Sequence, residues 1–274
     1  MVLLLGIAAG LAYGLTAFAG AFLAVPLLVL FAGVTFHIAL PIALFALGIC
    51  AAIAAGDAVR ARQCDIFASV WLIAGSLPVA LALGALAHSL SDSVLATLFV
   101  VAAIIFGPLL LLSVRAFAAH VALPPAALLH APRRSLADAS THIERRPSAN
   151  LGLLFAGMGC GVLTALVSAP GSWIGWRVLQ QRWPGQPHLA VGTLALVTAV
   201  VATLTAGWQF LFVADVPGYT AGLYVLGTVA GMGIARRAQH RLPFAATHRL
   251  LGVLTVIAAL VLWVAVMGSI RATS

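Results

Sequence analysis

Residues 3–39 read LLLGIAAGLAYGLTAFAGAFLAVPLLVLFAGVTFHIA, and residues 154–190 read LFAGMGCGVLTALVSAPGSWIGWRVLQQRWPGQPHLA. Laid on each other without a gap at an offset of 151, they align Gly6 with Gly157, Gly10 with Gly161, Gly20 with Gly171, His37 with His188 and Ala39 with Ala190. Two copies of a Gly-rich apolar opening, one in each half, are the signature of a secondary carrier built from structural repeats.

The rest of the chain agrees with a membrane setting. Hydrophobic residues make up 63% of the sequence and charged residues only 7%. Uncharged stretches run over 38–56, 66–87, 94–114, 189–213, 218–235 and 250–270, each near the roughly 20 residues that a helix needs to cross a bilayer. Two further apolar stretches, 2–32 and 151–176, open the halves. Met1 is followed directly by apolar residues without a basic leader, so no cleavable signal peptide is expected. Cys50 and Cys160 fall in apolar spans and Cys64 in a short polar loop, which predicts small buried side chains and neither a redox pair nor a metal site.

All basic residues are arginines, and they predict the topology. If the opening stretch of each half crosses fully, the arginines divide almost evenly between the two faces. If it dips in and returns to its own side, every arginine except Arg271 falls on one face, and the opposite loops around 33–36, 88–93 and 214–217 hold none. Positive charge marks the cytoplasmic side, so the second topology is preferred, with the arginine-rich loops cytoplasmic. Three full crossings per half then make the repeats inverted, the architecture suited to alternating access. Thr16 to Gly20 and Ser168 to Ser172 are breaker-rich points, with flanking limbs of about 12 to 17 residues that are short for a full span. The tips are expected to meet in the interior, where irregular backbone is tolerated. A pair of long, kinked, fully spanning helices stays open as the alternative.

The expected fold is thus all-α: a polytopic membrane protein of two inverted repeats, each of one re-entrant or broken helix plus three transmembrane helices. Residues 1–115 form the first membrane repeat, 116–149 a cytoplasmic linker rich in proline and charge, and 150–274 the second repeat. The linker separates the halves and is read as a solvated connector. Basic residues between membrane spans argue against nucleic acid as a partner. The lipid bilayer is a partner by construction, and homo-oligomerisation stays open.

The run Gly10-xxx-Gly14-xxxxx-Gly20-xxxx-Val25-Pro26, its echo from Gly157 to Gly171, the alanine after each repeat histidine, and Gly227-xxx-Gly231-x-Gly233 followed by Arg236 and Arg237 resemble the sulfite exporter TauE/SafE family. The resemblance covers nearly the whole chain outside the linker. It implies a permease of the bacterial inner membrane whose substrates are sulfite, sulfonates or related small organic anions. Two departures bear on the substrate: Ala19-Gly20-Ala21 replaces the glycine cluster usual before the Val-Pro pair, and Arg177 replaces the second half's proline.

An anion site follows from the backbone without that resemblance. A helix that starts at membrane depth presents unpaired N–H groups and a positive dipole end, so no buried cation is required. The predicted substrate-binding residues are Thr16, Gly20 and Ala21 at the first break and Ser168, Gly171 and Ser172 at the second. Their glycines permit close approach and their hydroxyls add donors; tight helix packing explains the same residues. His37, His188 and Arg177 are accessory candidates, with helix capping or contact with lipid headgroups as the plainer roles. All six acidic residues lie at span ends or in loops, leaving no mid-membrane carboxylate as a proton relay. No nucleophile with a base, carboxylate pair or metal-ligand spacing is present, and His120, His130 and His142 in the linker lack zinc spacing, so neither an enzyme nor a cofactor is expected. An anion channel, or an accessory subunit without its own transport, remains the rival reading.

Overall fold

A computed structural model describes residues 1–16, 19–105, 147–168, 171–183, 186–213, 217–238, 253–254, 256–265 and 268. The described residues are helical, apart from short connections, and run in the order α1 (Val2–Thr16), α2 (Ala19–Ala32), α3 (Phe36–Arg60), α4 (Ile66–Ala87), α5 (Asp92–Ile105), α6 (Pro147–Val167), α7 (Ser172–Arg182), α8 (Pro187–Phe210), α9 (Gly218–Ala238) and α10 (Val256–Ala265). Five of them, α3, α4, α6, α8 and α9, are long and apolar enough to cross a membrane. Their boundaries have local causes. Gly33 takes a left-handed conformation (φ +66°) after α2; the Asp65 carboxylate accepts from the Ala68 N–H at 3.0 Å and caps α4; and proline opens α8, where its missing N–H costs nothing.

Each opening stretch holds two helices, α1 and α2 on either side of residues 17–18, and α6 and α7 on either side of a segment in which Ser168 and Gly171 are described and 169–170 are not. The limbs differ from expectation on one side. α6 has 21 residues, beginning at Pro147 within the stretch assigned to the linker. No breaker interrupts Ser148 to Val167, so the helix extends back to the proline that can start it. The rest of the 116–149 linker, with His120, His130 and His142, lies outside the described residues.

Helix pairing repeats between the halves. α1 packs on α9, α4 on α6, and α3 on α8. At the first interface the space that a Cβ would fill at Gly6 is taken by the Tyr224 carbonyl, and at Gly10 by the Thr228 carbonyl. At the second, Gly157 meets the Leu72 carbonyl and Gly161 the Ser76 carbonyl. Conversely, Gly227 faces Leu3 and Ile7, while Gly75 faces Leu154 and Met158. Each atom pair of one interface recurs in the other, at the offset of 151 between α1 and α6 and of 152 between α4 and α9. Small residues let these backbones touch where no hydrophobic force between helices is available in lipid.

The contacts also give directions. Gly6 lies by Gly227 and Gly14 by Ala235, so α1 and α9 run parallel, as do α4 and α6. Gly48 packs against Thr203 whereas Gly192 packs against Ala58 and Gln63, so α3 and α8 are antiparallel. At one end of the bundle Asp57 pairs with Arg236 (2.6 Å) and the Asp65 N–H donates to Thr193 (3.0 Å). At the other, His37 contacts Asp92 (2.6 Å) and His88 stacks near Phe212 (5.4 Å between centroids). The loop at 88–92 and the residues flanking 33–36 and 214–217 lie together there, residues 214–216 being outside the described residues.

Candidate functional site

Ser168, directly after α6, holds a left-handed backbone (φ +52°), a conformation rare for a side chain with a Cβ. Its hydroxyl donates to the Leu40 carbonyl of α3 at 3.1 Å, and the residue is fully buried. Three residues on, Gly171 caps α7 and has no side chain to satisfy the helix's first N–H groups. The space beside Gly171 belongs to Cys160, whose thiol donates to the Gly171 carbonyl at 2.8 Å. Glycine is therefore required here by the packing of α7 on α6.

Around this turn lie polar side chains in an otherwise apolar interior. Gln209 of α8 is 1% exposed; its Nε2 reaches the Ala165 carbonyl only at 3.4 Å and its Oε1 has no partner. Thr205, one turn earlier, is fully buried with its hydroxyl unpartnered, and both residues face Gly84 of α4. Buried polar groups are normally hydrogen-bonded, because leaving one unpaired costs about 1–3 kcal/mol. Sequence reasoning missed this pair. The available signal is that the α3 positions at the same offset are Ala54 and Ala58, so the polar face belongs to one half alone.

Of the predicted site residues, Ser168, Gly171 and Ser172 come together at the turn between α6 and α7, though the Ser172 side chain lies outside the described residues. Thr16 ends α1 and Gly20 and Ala21 begin α2; residues 17–18 and the side chains of 16, 20 and 21 lie outside the described residues. The described ends of α1 and α6 do not share one depth. Ser168 is level with Leu40, whereas Gly14 is level with Ala235, next to the Arg236 that pairs with Asp57. Along α3 those levels, at Leu40 and Asp57, are separated by about 25 Å at 1.5 Å per residue. Ser168 thus lies toward the His37 end of the bundle and the end of α1 toward the Asp57–Arg236 end; residues 17–18 and 169–170, where the tips are expected, lie outside the described residues.

His37 lies one turn of α3 from the Ser168 contact. Its Nδ1 faces Asp92 at 2.6 Å and its Nε2 the Leu90 carbonyl at 3.0 Å. His188 occupies the equivalent place at the arginine end, in the first turn of α8. Arg177 is exposed on α7. Arg182, not singled out from the sequence, is the more enclosed cation: its Nε and one terminal nitrogen are buried without hydrogen-bond partners, 6.0 Å from the Trp183 ring at its guanidinium carbon. Among the described residues no group of three or more His, Cys, Asp or Glu is placed to hold a metal.

Two tests address this end of the molecule. Ser168→Gly relieves the left-handed strain while losing the hydroxyl and is expected to leave the melting temperature near wild type, whereas Ser168→Ala keeps the strain and should cost the lost hydrogen bond, about 0.5–1.5 kcal/mol. Thermal melts of both variants in detergent separate the backbone from the hydrogen bond. His88, outside α4, is held below the usual histidine value by burial and then by the neighbouring His37 ring, against a contact with the Gln209 carbonyl. A lowered value favours the neutral ring in the folded state, so its contribution is present above the ordinary value of 6.5 and is lost as pH falls through the folded one. Melts from pH 7.5 to 5 should fall for the wild type and be flatter for His88→Phe.

The family model described as sulfite exporter TauE/SafE matches residues 2–262 of the chain. No curated protein and no solved structure matches it.

Proposed function

The chain belongs to the sulfite exporter TauE/SafE family, and from that premise we propose that it carries sulfite or an organosulfonate across the bacterial inner membrane by alternating access between two inverted halves. Membership and the apolar helices make it a multi-pass membrane transporter. The observation that carries the finer reading is the repeated pairing of helices. An operation exchanging the halves must exchange α3 with α8, and these are antiparallel; such an operation turns helix direction over, as in inverted repeats. Each half then contributes one hairpin whose turn reaches toward the opposite face.

In this reading the turns present neutral donors to an anion at either end: Gly171 and Ser172 with Gln209 and Thr205 at one, beside Ser168, whose own proton goes to the Leu40 carbonyl, and Thr16, Gly20 and Ala21 at the other. Donors without net charge bind an oxyanion loosely enough to release it, which a carrier requires. Arg177 and Arg182 draw anions to the arginine-rich face, taken as cytoplasmic. His37 and His188 mark equivalent places beside the two turns.

The test is flux of sulfite, sulfoacetate, taurine and a carboxylate control into proteoliposomes holding the purified protein, with and without a pH gradient. Saturable uptake of the sulfur anions that the carboxylate does not share is expected. Equal, non-saturating passage of all four would replace the carrier with a channel.

A further inference from the structure

α7 runs back from the Ser168 end and leads, through Gln186 and Pro187, into the first turn of α8 at the arginine-rich end, where the Asp65 N–H donates to Thr193. It turns Trp176, Leu179 and the capping Trp183 into the apolar cluster shared with α4, α6 and α8, and leaves Arg177 and Gln181 exposed. Arg182, its last residue, lies between these faces and is half-buried. Its Nε and Nη1 are buried without a hydrogen-bond partner, and only Nη2 escapes that condition. The guanidinium carbon stands 6.0 Å from the Trp183 ring centroid. Among the described residues the ion pairs are Asp57–Arg236 and His37–Asp92, and neither includes Arg182. A guanidinium cannot shed its proton to escape burial, so a charge partly stripped of water here calls for an anion.

The first half has no such group. At the offset of the repeat Arg182 corresponds to Phe31, which is exposed near the start of α3 at the arginine-free end. The fold therefore accepts an apolar residue at this place, and the half-buried cation belongs to one membrane face alone. The wall beside it is apolar. α4 and α6, which share the cluster with Leu179 and Trp183, expose Phe67 and Leu151 at the same end of the bundle.

We infer that Arg182, backed by Trp183, binds the phosphate of an anionic phospholipid in the leaflet at the arginine-rich face. The inference needs only the membrane setting and is independent of what the protein transports. A phosphate oxygen meeting Nη2 and drawing the neighbouring N–H groups outward forms charge-assisted hydrogen bonds, the geometry that guanidinium and phosphate share. Exposed arginines such as Arg177 are already hydrated and gain little from a counter-ion, whereas a partly desolvated one gains most. A lipid suits the place better than a free phosphate, because its acyl chains continue along Phe67 and Leu151.

The experiment compares melting temperatures of the full-length protein in neutral detergent with added phosphatidylcholine or phosphatidylglycerol, and reads lipid retention by native mass spectrometry. The variants are Arg182→Phe, which copies the first half; Arg182→Gln, which removes the charge at similar bulk should the phenylalanine fail to fold; and Arg177→Gln, which removes an exposed charge from the same helix. Phosphatidylglycerol is expected to raise the wild-type melting temperature by about 5 °C over phosphatidylcholine, the shift for a ligand about a hundredfold above its Kd, and to do the same for Arg177→Gln. Neither Arg182 variant should show the shift, and both should hold the lipid roughly tenfold or more weakly, the loss for a hydrogen bond to a charged group. In phosphatidylcholine they should melt at or above wild type, since an unpaired buried charge has gone. An equal shift in every variant, or none in the wild type, overturns the assignment. So does a loss of stability in the Arg182 variants that is the same in both lipids, the mark of a packing residue. Inorganic phosphate without lipid is the last arm: Arg182-dependent stabilisation by it alone overturns the lipid as occupant in favour of a free anion.

Discussion

Gly10→Leu or Gly161→Leu is expected to prevent recovery of folded protein. At Gly10 even a methyl group would coincide with the Thr228 carbonyl, and at Gly161 with the Ser76 carbonyl. Neither obstacle is the end of a flexible side chain, so the helix axes themselves would have to part. Overpacking in a core typically costs about 1–3 kcal/mol and more when backbone must move. In lipid the loss is compounded, since close contact of small residues is what draws such helices together. Gly222→Ala is the matched control. It lies on the same helix as Thr228 with nothing within 4 Å of an added Cβ, so it should melt at or slightly above the wild-type temperature, alanine being the better helix former. Size-exclusion profiles and thermal melts check both, and a well-folded Gly10→Leu protein would mean that α1 does not pack on α9 as described.

The equivalent interfaces explain which parts of the fold were legible. Gly6, Gly10, Gly157 and Gly161 stood out in the sequence because duplication placed them at one offset, and the arginines foretold which loops share an end, as the Asp57–Arg236 and His37–Asp92 contacts show. Periodicity identifies a glycine face without identifying its partner helix, so the packing of each opening helix onto the second crossing of the other half was not legible. Nor was the depth at which α1 and α6 end. Limb length was judged from breakers, and α6 outruns that estimate because its start is set by Pro147, inside a stretch whose charge suggested solvent.

The polar residues of the interior were hidden for a related reason. A single Gln or Tyr in an apolar span has the same sequence signature whether it caps a carbonyl, snorkels to an interface or faces a ligand. Serines and glycines at the breaks drew attention to Ser168 and Gly171, where the structure finds a strained turn and a tightly packed cap. Tyr224, Thr205 and Gln209 became visible only once burial and hydrogen bonding were known together. Comparison of halves is the sequence device that would have narrowed the search, since Ala54 and Ala58 stand where Thr205 and Gln209 do.

That comparison leads to the second large effect, expected for Gln209→Leu. The wild-type amide is 1% exposed, makes one long hydrogen bond of 3.4 Å and leaves its oxygen unpaired. Replacing an unsatisfied buried polar group by an apolar one of similar size is neutral to stabilising, because about 1–3 kcal/mol of desolvation cost disappears. The α3 copy of this helix carries Ala58 at the same place, so the fold does not require an amide there. Leucine should therefore leave the melting temperature unchanged or raised. Transport should fall at least tenfold, the loss expected when a donor to a charged ligand is removed. A residue that costs stability and serves transport is the pattern of a binding group, whereas a packing residue would lose stability and flux together. Paired melts and sulfite flux on Gln209→Leu and Thr205→Val distinguish the two, and wild-type flux in both variants would take the turn between α6 and α7 out of the anion's path.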